Sequence, residues 1–119
     1  MIDGAEARAE YREAFTERGE KAAIRRYIGS TPDRFYNDYD VTAVPLSDSE
    51  AKELAGAVSQ GDRFVLILAE ELEEQSFPLP ITVNDKLVLE GREQAIFKPD
   101  RFTRRIQGIV VAYVLVVRG

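Results

Sequence analysis

Four carboxylates fall within five positions at Glu70-Glu71-Leu72-Glu73-Glu74, the densest ionic feature of the sequence. Mg²⁺ and Ca²⁺ take oxygen ligands of this kind. A Ca²⁺ loop spaces its ligands at alternate positions around a glycine, and this run has neither the spacing nor the glycine. The simpler expectation is an acidic turn or a single helical turn with Leu72 facing inward. Asp33, Asp38 and Asp40 make a second carboxylate group. Paired carboxylates hydrolyse glycosides when burial raises the pKa of one of them. Here they lie among turn residues, where Asp is favoured because its side chain bonds nearby backbone. Arg34, Phe35, Tyr36 and Tyr39 combine flat rings with a guanidinium. That composition suits a stacking platform for single-stranded nucleic acid, a protein–protein hot spot, or plain turn and core packing. Lys98, Arg101, Arg104 and Arg105, offset by Asp100, form the one basic patch. It is a candidate contact for an acidic neighbour or for DNA, or else a solvated loop.

The composition narrows what such groups can do. The 119 residues include no Cys, His or Trp. Disulfides, thiolate nucleophiles, imidazole bases and zinc sites built on His or Cys are therefore excluded. Neither a dinucleotide-binding nor a phosphate-loop glycine pattern occurs. The expectation is a non-enzymatic protein with no catalytic residue, no metal and no cofactor. Net charge is -5, with 21 acidic and 16 basic residues. An acidic balance disfavours general adhesion to phosphate backbones. The start of the chain has no apolar stretch of the signal-peptide kind. Its longest apolar run, Ile109 to Val117, is nine residues, about half of a membrane span. These features read as a soluble chain that is not exported.

The elements that must carry these groups are mostly strands. Residues 5–18 form the exception, an Ala-, Glu- and Arg-rich helix with Tyr11 and Phe15 on one side. Asp3 is its candidate N-cap and Gly19 its C-terminal stop. The helix either docks on its own chain through Tyr11 and Phe15 or protrudes toward another subunit. Lys21 to Ile28 reads as a strand, 30–38 as a loop, and Tyr39 to Ala43 as a half-buried strand ended by Pro45. Ser47 with Glu50 has the form of a capping box for a short helical turn; the alternative is a wide loop. Phe64 to Ala69 is continuously apolar, as in a strand buried on both faces. Residues 86–98 read as a hairpin turning at Gly91, and Gln107 to Arg118 as the longest strand. About six short strands with frequent turns, in one domain spanning 1–119, predict a mainly β fold. It is a small antiparallel barrel or sandwich over 20–119, preceded by the N-terminal helix.

The order of these segments resembles a known family. Phe15-Thr16-Glu17-Arg18-Gly19-Glu20 leads into Ile24-Arg25-Arg26-Tyr27, followed by Tyr39-Asp40-Val41-Thr42-Ala43-Val44 and Gln60-Gly61-Asp62-Arg63. Asn84-Asp85-Lys86-Leu87-Val88-Leu89-Glu90-Gly91-Arg92 and a closing Tyr113-Val114-Leu115-Val116-Val117-Arg118-Gly119 complete the series. This order, over most of residues 15–119, is similar to head–tail joining proteins of tailed phages, of the head-closure or stopper type. The resemblance implies a β-barrel protomer of a homo-oligomeric ring, twelve-fold or six-fold, in the virion neck. Such a protein is made in the host cytoplasm, touches no membrane, and joins the portal–adaptor complex to tail-terminator or tail proteins. Its ring lines or gates a channel through which DNA passes without specific binding. The N-terminal helix leaves the adaptor and tail-terminator assignments open beside the stopper. Ring contacts are head-to-tail and need two different matching patches. The opposed candidates are Glu70, Glu71, Glu73 and Glu74 on one side and Arg101, Arg104 and Arg105 on the other. Tyr11, Phe15, Arg34, Phe35 and Tyr36 are further interface candidates. The alternative function is an OB-like small barrel that binds single-stranded nucleic acid.

Overall fold

In a computed structural model, the described residues are 4–29, 32, 34–56, 61–97, 103–106 and 108–118. The chain runs α1 (Gly4–Arg18), β1 (Glu20–Ile28), β2 (Phe35–Pro45), α2 (Asp48–Ala55), β3 (Arg63–Leu68) and α3 (Ala69–Glu74). It continues β4 (Lys86–Leu89), β5 (Arg92–Phe97), β6 (Arg104–Ile106) and β7 (Ile109–Arg118). Every strand pairing is antiparallel. The order β3-β2-β1-β4-β5-β7 closes on itself because β3 also pairs with β7. The result is a closed six-stranded barrel, with β6 as an extra strand alongside β7. Closure pairs the edges that an open sheet would leave free.

Side chains alternate between two cores. Val65, Ile67, Tyr113, Leu115 and Val117 face the barrel interior with Ile24, Leu87, Leu89 and Ile96. The intervening Phe64, Leu66, Leu68, Ala112, Val114 and Val116 form an outer layer with Phe15 of α1 and Ala51 of α2. Both faces of β3 and β7 are thus buried. That is why their sequences are continuous apolar runs and not alternating ones.

Local sequence accounts for several element ends. The Ser47 side chain accepts from the Glu50 N–H at 3.2 Å, and the Ser47 N–H donates to the Glu50 carboxylate at 3.1 Å. This reciprocal cap, worth about 1 kcal/mol, selects the helix α2 over a wide loop. Glu90 and Gly91 both take positive φ, 56° and 73°, and make the two-residue turn between β4 and β5. Positive φ at both positions matches the right-handed twist of the flanking strands.

Other expectations change. The segment 35–38, read as loop, belongs to β2, which at 11 residues exceeds the 10 of β7. Ile28 stands opposite Phe35, Tyr27 opposite Tyr36, and Arg25 opposite Asp38. These cross-strand pairs extend the strand through turn-forming residues. The basic segment Arg104–Ile106 is a strand as well, joined to β7 through a register shift at Arg104/Arg105. Gly19 does follow α1, and its N–H donates to the Phe15 carbonyl at 2.8 Å. Its role is close approach: a Cβ there would collide with Thr42 Cγ2 and the Phe15 carbonyl oxygen. Asp3, Asp33, Lys98, Asp100 and Arg101 lie outside the described residues. The helix α3 carries Leu72 fully buried, as its acidic flanks predict.

Candidate interaction surface

The β1–β2 hairpin outgrows the barrel. Pairing of β1 with β4 stops at Arg25, and pairing of β2 with β3 covers only residues 43–45. Beyond Arg25 the two strands pair only with each other, as a ribbon ending at Ile28 and Phe35. Alternation gives the ribbon two chemically different faces.

One face is a laminate of charges and rings. Arg25 donates to the Asp38 carboxylate at 2.8 and 3.0 Å and to Glu93 at 3.2 Å. Its guanidinium lies 3.9 Å from the centre of the Tyr36 ring. Tyr36 meets Tyr27 edge-on at 5.6 Å, and Arg34 covers Tyr27 at 3.6 Å. The Tyr27 hydroxyl donates to Glu93. That bond first, and the Arg25 ion pair after it, hold the Glu93 carboxyl below the usual carboxylate range. Hydrogen bonding to Asp38 likewise favours charged Arg25.

The other face is fastened to the loop that closes the barrel end. Arg26 donates to Asp85 at 2.9 and 2.8 Å, to the Pro80 carbonyl at 2.8 Å and to the Pro78 carbonyl. The guanidinium lies 4.4 Å from the centre of the Phe77 ring, and Phe77 meets Tyr39 edge-on at 4.8 Å. Asp85 also accepts the Thr82 N–H at 2.9 Å, which fixes the turn 82–85. Beyond this staple the apolar side chains are open to solvent. Six large apolar residues are exposed among those described, and five of them cluster at this end: Ile28, Phe35, Tyr36, Leu79 and Val83. Phe35 is 56% exposed and Val83 57%. Large apolar side chains left open beside Arg are the composition of a protein contact.

The acidic segment is paired with arginines of its own chain. Arg12 of α1 grips Glu70 through two bonds of 2.8 Å. Arg8 grips Glu73 at 2.8 and 2.9 Å and also donates to the Val110 carbonyl at 2.7 Å. Glu71 accepts from the Thr42 N–H at 2.8 Å and from its hydroxyl at 3.1 Å. Glu70, Glu71 and Glu73 are therefore engaged within the chain, and Glu74 is exposed. These pairs compensate for a helix that buries only Gly4, Ala7 and Phe15. On the turn residues, Asp38 pairs with Arg25, while the Asp40 backbone is held by Gln75 at both N–H and carbonyl.

A groove of about 470 Å³ lies between α1, α2 and the barrel wall. Its apolar lining includes Tyr11, Phe15, Leu46 and Leu54, and its charged rim includes Arg18, Glu50, Glu53 and Arg104. Arg18 donates to Glu50 at 3.0 Å. That bond and the Ser47 N–H lower the Glu50 pKa. Arg105, on β6, is exposed.

Among the described residues, no group of three or more Asp, Glu, His or Cys is arranged to hold a metal ion. No helix among them is long and apolar enough to cross a membrane. Protein-family models, curated proteins and solved structures contain no match to the chain. Arg34, Phe35 and Tyr36 stand out in the sequence as an aromatic–Arg group, whereas Tyr27, Ile28, Leu79 and Val83 do not. Strand register places Tyr27 and Ile28 there, and the bonds from Arg26 to Asp85 and the Pro80 carbonyl hold the loop that carries Leu79 and Val83 to the same end. The Leu46 and Leu54 sides of the groove carried no signal beyond helix and strand periodicity.

Proposed function

We propose that this protein is a structural subunit of a ring in the neck of a tailed phage, of the head-closure type, between the portal–adaptor complex and the tail. The observation that carries the reading is the exposed end of the β1–β2 ribbon. Phe35, Tyr36, Ile28 and the neighbouring Leu79 and Val83 stay in solvent on a rigid, ion-paired support. A contact surface built for a neighbouring subunit has this form. The closed barrel fits the protomer expected from the family resemblance. The net charge of -5 favours a channel along which DNA slides without adhering.

Mass photometry and negative-stain imaging of the purified protein test the proposal. The expected result is closed rings with a central channel, at a mass that is a whole multiple of 13.4 kDa. A protein that stays monomeric at high concentration would refute it, as would tight binding of DNA at physiological salt. Filter binding with single-stranded DNA covers the nucleic-acid alternative. That alternative requires base stacking on Tyr36 and Tyr39, of which Tyr36 has the Arg25 guanidinium over its ring and Tyr39 packs edge-on to Phe77.

A further inference from the structure

The ribbon tip and the α1–α2 groove lie at opposite ends of one strand. Phe35 opens β2, while Val44, near its other end, lines the groove. Nine residues of strand separate them, roughly 30 Å at about 3.3 Å per residue. A paired strand does not bend back on itself, so a tip cannot enter the groove of its own copy. We propose that the Phe35 tip of one copy docks in the α1–α2 groove of the next. This rests on the ring reading above and names the contact that would build the ring.

The two patches match in chemistry. The tip presents the Phe35 ring and Ile28, an opposed cross-strand pair, while Arg34, next in the chain, lies over the Tyr27 ring on the other face. The groove offers an apolar floor of Tyr11, Phe15, Leu46 and Leu54, and its rim carries Glu53 and Arg104 beside the Arg18–Glu50 pair. Its volume, about 470 Å³, lies in the range that encloses an inserted aromatic group. Among the described residues Arg34 and Glu53 form no ion pair within the chain. Placing Phe35 in the groove would draw the Arg34 guanidinium from the Tyr27 ring to Glu53 at the rim. The patches are different and do not overlap, so the contact is heterologous. It propagates from copy to copy and yields a ring if the rotation closes, or a filament if it does not.

The absence of cysteine makes a clean crosslinking test possible. The double variant Phe35→Cys/Leu54→Cys, oxidised and run on non-reducing gels, is expected to give a ladder of dimer, trimer and higher species that reductant collapses. Each single variant stops at dimer. Arg34→Glu should raise the oligomer dissociation constant at least tenfold, as should Glu53→Arg, and the two combined should restore assembly. Both positions are exposed, so folding is not at stake. Rings that form without a ladder, and that survive both charge reversals, overturn the docking and leave the neck reading standing. A ladder made only by open filaments keeps the docking and refutes the closed neck ring. Saturation of the groove by a small apolar probe such as ANS, with no self-association, would also overturn it.

Discussion

Removal of the Asp85 carboxylate is expected to unfasten the end of the barrel that carries the ribbon. The Asp85 side chain is 2% exposed and that of its partner Arg26 19%. In Asp85→Ala the guanidinium loses its counter-charge but stays held against the Pro80 carbonyl and the Phe77 ring. The Thr82 N–H loses its acceptor. Breaking a buried ion pair from one side costs about 3–5 kcal/mol. Water still reaches one flank of Arg26, so the low end applies, about 3 kcal/mol including the orphaned N–H. Unfolding entropy near 2.1 cal/mol/K per residue amounts to roughly 0.25 kcal/mol/K for this chain. The melting temperature should therefore fall by about 12 °C. Asp85→Asn keeps the shape and one acceptor and should lose about half as much. The double variant Arg26→Met/Asp85→Leu removes both charges and should lie within about 1–2 kcal/mol of the parent. Thermal and urea unfolding followed by circular dichroism measure all three. A loss below about 1 kcal/mol for Asp85→Ala would refute the reasoning, as would a double variant as damaged as the single one.

Gln94 faces the barrel interior opposite Leu87, and its Oε1 has no hydrogen-bond partner. Gln94→Met should therefore raise stability by about 1 kcal/mol, and a lower melting temperature would count against that. Gly19→Ala should destabilise, because the added methyl would meet Thr42 and the Phe15 carbonyl. Urea titration should show a loss of about 1–3 kcal/mol, as in other overpacked sites. Glu50 and Glu93 have folded-state pKa values depressed by Arg18 and by Tyr27, respectively. Their contribution is present above the unfolded carboxylate pKa and is lost as pH falls through the lower folded value. Stability should decline from about pH 5 downward, and Glu93→Gln should flatten that decline. Parallel pH profiles for parent and variant would exclude Glu93 as a source.

What could be read from the residues was local. The capping box at Ser47 and Glu50, the turn at Gly91, the buried run from Phe64 and the inward Leu72 each depend on neighbours within about four positions. Period and caps act at that range. The class of fold follows, because several such strands must close or stack to bury their apolar faces. The tip residues Arg34, Phe35 and Tyr36 were legible as an aromatic–Arg group, but not as the end of a strand. Turn formers dominate 30–38, and only pairing with β1 draws 35–38 into β2.

By itself, the sequence determined which chemistries are impossible for this protein, where several of its caps and turns fall, and that its strands share a buried core. Tertiary structure alone decided the partners of its charges. Arg12 and Glu70 are 58 residues apart, Arg8 and Glu73 65, and Arg26 and Asp85 59. Nothing in a local pattern selects one such pairing over another. The acidic segment was read as an outward patch, and barrel closure instead delivers α1 arginines to it. The exposed end of the ribbon arises the same way: β1 and β2 are longer than the strands beside them, and the register decides which residues are left without a neighbour.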